Sequence, residues 1–436
     1  MSKALAAPDR RRVLRLALGA TLAGALAGLV GGAFRFVLDR ADALRDAFLG
    51  WSQQWPQVGW LWPVLAAAVC AAAARALVRI APIASGSGVQ HVEAVMREEE
   101  TPAPLRVLPV KFIGGTLAIG SGLALGREGP MVQMGSTIGV GIARLLRTGI
   151  EELRTLQAAT AGAGLAVAFN APIGGALFVF EEVARRFEPR LVLATLLACS
   201  VAVAVARAML GDEPAFHVAA LAPPPFWSIV PHLLLGALLG LLGAAYNRIV
   251  VWGLDAFERL PAWPVEARAA VVGAGVGLVA TCAPSLVGGG DALNEQVLGG
   301  GLPLDTLALI FAVRWFIGPW SYAAGTPGGL FAPLLVIGAA FGALCGAIVH
   351  DLAPTLAPQP LAFALVGMAA FFTAVVRAPL TGIVLVVEMT ATTTLLVPML
   401  AACFAAAAAA TCVRSEPIYD TLRTRSPVPP SKAAVS

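Results

Sequence analysis

Glu128 stands between two glycines, in Gly126-Arg127-Glu128-Gly129-Pro130, a pattern that fits a helix start better than a solvated polar face. Its only near charge in sequence is Arg127, so the two either pair or leave the carboxylate free. Glu181 and Glu182 close a run without formal charge from Thr155 to Phe180, just ahead of Arg185 and Arg186. The plainer reading there is an ordinary helix end with surface ion pairs. Tyr419, one of three tyrosines, can donate a hydrogen bond without carrying charge, although an aromatic at a membrane interface is the plainer reading. Carboxylates that gain and lose protons, beside neutral donors, suit ion movement rather than bond breaking. Ser87 and Ser121, each within Gly-Ser-Gly, lack a placed histidine partner, which argues against a nucleophilic enzyme. His91, His217, His232 and His350 form no ligand pair. The six cysteines make no C-x-x-C, so neither a metal nor a cofactor is expected.

Membrane helices must position these groups. Of 436 residues, 58% are hydrophobic and only 13% charged, where a soluble domain carries about 25% charged residues. Mean hydropathy is +0.80. The net charge of +4 is too small an excess to suggest a nucleic-acid surface. Leu16 to Phe34, Pro214 to Asn247, Ala269 to Gly290, Trp315 to His350, Leu352 to Val376 and Met389 to Val413 all lack a formal charge, and a helix spanning the bilayer needs about 20 such residues. Several are too long for one crossing and carry internal Gly or Pro, as in Gly325-Thr-Pro-Gly-Gly329, which predicts two half-helices meeting at a break. Irregular backbone at membrane depth is tolerated only where it is buried in protein or lines a polar cavity, so the breaks point to a pathway. An ionised carboxylate in that setting costs at least ~2.5 kcal/mol and needs a partner, a water cavity or a proton. The start, Asp9-Arg-Arg-Arg-Val-Leu-Arg-Leu16, superficially resembles a twin-arginine leader. The apolar stretch after it is too long for one, so the first helix is expected to stay in the protein. Gly24, Gly28 and Gly32 give that helix a stripe for close packing. Basic clusters at residues 10–12, 144–154, 185–190 and 414–425 place both termini in the cytoplasm.

The chain also repeats itself. Gly126, Pro130, Gly135 and Gly139 recur 203 residues later as Gly329, Pro333, Gly338 and Gly342. Asn170-Ala-Pro172 through Glu181 recurs at nearly the same offset as Arg377-Ala-Pro379 through Glu388, the second glutamate being read as structural. Duplicated transporters place their substrate at the repeat interface and aim broken-helix N-termini at it. Each such end offers unpaired N–H groups and about +0.5 of a charge, so the favoured ligand is an anion. Gly86-Ser-Gly88, Gly126 to Pro130 and Gly328 to Pro333 suit such helix starts. Lys111, in an apolar segment, is expected to raise the local positive potential without touching the anion. Boundaries follow: a cytoplasmic segment 1–12, a first membrane repeat 13–210, a loop 211–228, a second repeat 229–419 and a short cytoplasmic tail 420–436, with no regulatory domain expected after Tyr419.

Gly86-Ser-Gly-Val89, Pro109-Val-Lys-Phe112, Gly126-Arg-Glu-Gly-Pro130, Asn170-Ala-Pro172 with Glu181-Glu182, Gly328-Gly-Leu-Phe-Ala-Pro333, Arg377-Ala-Pro-Leu-Thr-Gly382 and Pro417-Ile-Tyr419 together resemble the CLC family of chloride channels and proton-coupled chloride transporters. The resemblance covers about residues 80 to 420. It implies an all-α polytopic membrane protein, an inverted repeat of tilted and broken helices, and a homodimer with one pore per subunit in a bacterial-type inner membrane. It implies an anion held by Ser87, Tyr419 and the amides of Leu330 and Phe331, with Glu128 as gate. Glu182 matches the internal proton-relay glutamate of the exchangers, which passive channels usually replace. The expected activity is therefore H+/Cl− antiport, with a voltage- or pH-gated chloride channel as the alternative. Gly86, Gly88, Gly126, Arg127, Gly129 and Pro130 form the helix-start motifs. Where the family has G-S-G-x-P this chain has Gln90, followed by His91, so the helix start differs beside the anion site. The retained Ser87 favours chloride over fluoride.

Overall fold

Proline opens α-helices at Pro172, Pro189, Pro360 and Pro379, where its missing N–H would have had no intrahelical partner. The computed structural model describes residues 10–425 apart from residue 261. It runs α1 Arg10–Ser52, α2 Leu61–Leu77, α3 Val89–Met96, α4 Val107–Gly120, α5 Glu128–Leu145, α6 Ile150–Phe169, α7 Pro172–Phe178 and α8 Pro189–Leu210. After a connection come α9 Ile229–Glu258, α10 Val265–Cys282, α11 Asp291–Leu298, α12 Leu304–Ala323, α13 Phe331–Leu352, α14 Pro360–Val376, α15 Pro379–Thr390, α16 Leu396–Cys412 and the short α17 Ile418–Arg425. Among the described residues there is no β-strand. Helices α1, α8, α9, α10 and α13 are long and apolar enough to cross a membrane, and α2, α4, α14, α15 and α16 are apolar but shorter. The protein is a polytopic all-α membrane protein of inverted, broken helices. As the glycine-rich stretch predicts, the run from Trp315 to His350 breaks between α12 and α13.

Helix α1 extends well beyond the uncharged stretch at its centre. It continues through Asp39, Asp42 and Arg45 because these charges find partners, Arg45 bonding Asp42 at 2.6 Å and Asp46 at 3.2 Å. Its glycine stripe faces α8: a Cβ on Gly24 would lie 2.6 Å from the Ala198 carbonyl oxygen, and one on Gly28 only 2.4 Å from that of Ala202. The opposite face shows Leu18, Leu22, Leu26 and Leu29 to the outside, as a lipid-facing surface requires. Helix α9 meets α16 in the same manner through Gly236 and Gly240 against Ala402 and Ala406.

The deepest layer is α5 on α6 and α13 on α14. Every residue from Leu156 to Phe169 and from Ala362 to Val376 is buried. Helices α7 and α15 cross-link the two sequence blocks reciprocally. Glu181 accepts from the Leu380 and Thr381 amides at 3.1 and 2.8 Å, and Glu388 accepts from those of Ile173 and Gly174 at 3.1 and 2.7 Å. Each carboxylate thus satisfies the orphan N–H groups that open the other block's helix.

Candidate functional site

Three helix starts converge at the centre of the molecule, stitched by backbone hydrogen bonds. Gly126 and Gly329, the duplicated pair, exchange both bonds, at 2.8 and 2.7 Å. Gly86 donates to the Thr326 carbonyl at 3.2 Å and accepts from Gly328 at 3.1 Å. Reciprocal bonding between equivalent residues places the pseudo-two-fold axis through this pair. The first start, Gly86-Ser87-Gly88, is secured by Lys111, whose Nζ donates to the Gly86 and Ser87 carbonyls at 2.6 and 2.9 Å. The second block repeats the device. Arg314, 203 residues after Lys111, donates to the carbonyls of Leu286, Gly288 and Gly289 at 3.2, 2.8 and 3.2 Å. In each block a left-handed glycine opens the next helix, Gly88 at φ +86° and Gly290 at φ +105°. Lys111 therefore shapes the loop through backbone contacts.

Glu128 is wholly buried, and its Oε1 accepts the Phe331 amide at 2.7 Å. The carboxylate thus occupies the start of α13. Its Oε2 has no partner in the protein. Pairing with Arg127 does not occur. Arg127 turns to Asp291 at 3.1 Å and Asp39 at 4.0 Å, and its Nε donates to the Ala168 carbonyl. Ser87 Oγ and Tyr419 Oη are likewise buried without a hydrogen-bond partner. Buried hydroxyls left unpaired are rare and point to a ligand. Gly129 lets α5 approach the same loop, since a Cβ there would sit 2.5 Å from Ser87 Oγ. The Tyr419 and Phe331 rings pack at 5.7 Å, and Leu330 is fully buried beside them. Ser87, Glu128, Leu330, Phe331 and Tyr419 therefore come together, along with the glycines and Pro130 of the helix starts.

Glu182 lies elsewhere, on a π-helical turn, Val179–Val183, that continues α7. Such turns often mark functional positions. The residue is 2% exposed, yet it does pair with Arg185, at 3.2 Å, as the plainer reading proposed. Arg186 instead meets Glu188. Sequence reasoning missed what surrounds Glu182. Glu93 of α3 is completely buried beside it, its carboxyl facing that of Glu182. Asp420 of α17 accepts from Arg185 at 2.9 Å and Arg97 at 3.0 Å, and pairs with Arg423 at 3.2 Å. Partial burial opposes the ionised form of Asp420, but the hydrogen bond and charge of Arg185, reinforced by Arg423 and Arg97, hold its carboxyl below the usual range. The only sequence signal was adjacency, since Asp420 follows Tyr419. The Tyr419 hydroxyl is within electrostatic reach of both Glu128 and Glu93.

Helix starts, unpaired hydroxyls and a carboxylate competing for one amide define an anion-handling membrane protein of duplicated architecture. Residues 69–411 match the family described as voltage gated chloride channel, and the chain belongs to that family. It is 36% identical over 418 residues to the H(+)/Cl(-) exchange transporter ClcA of Vibrio parahaemolyticus, covering 93% of this chain and 88% of the relative. The ClcA exchanger of Cronobacter sakazakii is 37% identical over 421 residues, covering 94% and 90%. Among solved structures, a slow cyanobacterial Cl-/H+ antiporter superposes with a TM-score of 0.90 at 32% identity, over 94% of this chain and 97% of that one.

Proposed function

We infer that this chain is a proton-coupled chloride antiporter, exchanging H+ for Cl− across a membrane; it is not an enzyme. The observation that carries the reading is the Glu128 carboxylate on the Phe331 amide. A carboxylate on that donor excludes an anion from it, and protonation removes the charge that holds it there, so one site alternates between two ions. Chloride is assigned to Ser87 Oγ, Tyr419 Oη and the amides of Leu330 and Phe331. These neutral donors bind an anion and let it leave, which a desolvated cation would not. Glu128 is the gate and outer proton carrier, and Glu182 supplies protons from the cytoplasmic side. Gly86, Gly88, Gly126, Gly129 and Pro130 shape the helix starts, while Arg127 anchors the outer end through Asp291.

The division into repeats 13–210 and 229–419 is supported by the matched order of α1–α8 and α9–α16. A homodimer with one pore per subunit is part of the same reading, resting on the family to which the chain belongs. Arg97, Arg154, Arg185 and Arg423 gather around α17 and the end of α3, which supports a cytoplasmic assignment for that face, and for both termini, in a bacterial inner membrane. Paired chloride and proton fluxes in liposomes test the reading. A chloride gradient should drive protons uphill, and the reversal potential should shift with the pH gradient. Chloride flux without proton movement would make the protein a passive channel.

A further inference from the structure

Gln90 stands one turn from Ser87, and beside it the structure holds a third hydroxyl, that of Tyr322 on α12. Tyr322 is 3% exposed, and its Oη accepts the Ser87 amide at 3.4 Å, a long and weak bond. The Gln90 side chain lies beside the same hydroxyl. Gln90 Nε2 and Tyr322 Oη face the same side of Gly86, at 3.7 and 2.9 Å from a Cβ placed there, while Gln90 Oε1 has no partner. The phenol oxygen thus receives the Ser87 amide, and its own proton has no acceptor among the described residues. The ring reaches this position across Gly86, where a Cβ would meet Oη at 2.9 Å. Tyr322 and Gln90 also line a cavity of about 480 Å³ that runs from the start of α3 to Arg423 and Arg425 of α17. On its far side, Ser87 belongs to the site that Tyr419 and Glu128 complete.

We propose that the Tyr322 hydroxyl is an additional anion ligand at the inner end of the site, donating to chloride as it passes between this cavity and Ser87, with Gln90 as its positioning residue. The proposal rests on the antiporter reading. An anion arriving from the cavity replaces Tyr322 at the Ser87 amide, and the freed phenol turns its proton to that anion. Both partners are neutral, so the handover adds affinity without a charge that would hold the ion. Gln90 works only through Tyr322, because its nitrogen lies beside the phenol oxygen and leaves the O–H to the anion.

The test is calorimetric chloride titration of the purified full chain, with paired chloride and proton fluxes in liposomes. Tyr322→Phe keeps the ring and removes only the hydroxyl. It should weaken chloride binding roughly ten- to a hundredfold, the range for one hydrogen bond to a charged group. Gln90→Leu should weaken binding by a smaller factor in the parent and have no effect on the Tyr322→Phe background. Chloride affinity in Tyr322→Phe equal to the parent overturns the ligand. Equal losses from Gln90→Leu on both backgrounds overturn the positioning role. Failure of the antiporter reading is separately visible: the parent would then move chloride without protons, whatever Tyr322→Phe does to binding.

Discussion

On the proposed reading, Glu128 and an anion make the same demand on the Phe331 amide, and only one can be met at a time. Replacing the carboxylate with a neutral side chain removes the competition and the proton carrier together. Glu128→Gln should therefore retain chloride flux and lose proton movement, read as chloride flux that no longer responds to a pH gradient. Proton transport at the parent rate would refute the gate. Glu182 poses a sharper problem, because it pairs with Arg185, as a purely structural helix end also would. The fully buried carboxyl of Glu93 facing it favours a relay. Glu182→Gln should stop proton transport and spare chloride flux, whereas Glu182→Asp, still titratable, should spare chloride flux and keep part of the proton transport. A structural role predicts the reverse, with chloride and proton rates falling in parallel as the fold weakens.

Among the elements, α1 and α8 approach so closely that Gly28 leaves no room for a methyl group, its Cβ falling 2.4 Å from the Ala202 carbonyl oxygen. Gly28→Ala should push the helices apart and destabilise the protein by about 1 to 3 kcal/mol, the usual cost of overpacking. Thermal unfolding in detergent measures this, and an unchanged midpoint would mean that the contact yields freely. Much of the element scale was legible in sequence. The Gly24-Gly28-Gly32 stripe, the break before Phe331 and the duplicated Gly126 and Gly329 are local patterns with one physical meaning each. The continuation of α1 past Phe34 was not legible. It depends on Arg45 finding Asp42 and Asp46 and on Asp39 approaching Arg127, and charge in a sequence does not announce its partner. The same holds for Glu93 and Asp420. Residues 97 and 420 meet across a separation of 323 positions, and no spacing rule reaches that far. The roles of Glu181 and Glu388 were half visible: the repeat pairs them, but only the fold shows each reaching the opposite block.

For the whole molecule, Asp420 ties the chain's last described helix to its first block through Arg97 and Arg185. Its carboxyl is held below the usual range in the folded state. A depressed folded value means that the stability it contributes is fully present above about pH 4, the ordinary aspartate range, and fades as pH falls through the lower folded value. Helix α17, and with it Tyr419, should remain docked from pH 8 down to pH 5. Amide hydrogen exchange across Ile418–Arg425, corrected for intrinsic rates, should show constant protection over that interval and a loss only below about pH 4. Protection that fell between pH 7 and pH 5 would assign the anchoring to some other group. Constant protection would leave any pH dependence of transport in that interval to groups other than this anchor.

The reciprocal backbone bonds between Gly126 and Gly329, with those linking Gly86 to Thr326 and Gly328, limit how the molecule can move. Rocking one half against the other about its centre would part four amide–carbonyl pairs between buried backbone segments, and each lost bond would carry a desolvation cost of several kcal/mol. Swinging Glu128 away from Phe331 parts one bond and needs only a change of rotamer. The least costly stroke is that of a single side chain in a fixed frame, so the two ions can be exchanged by a machine whose backbone stays still.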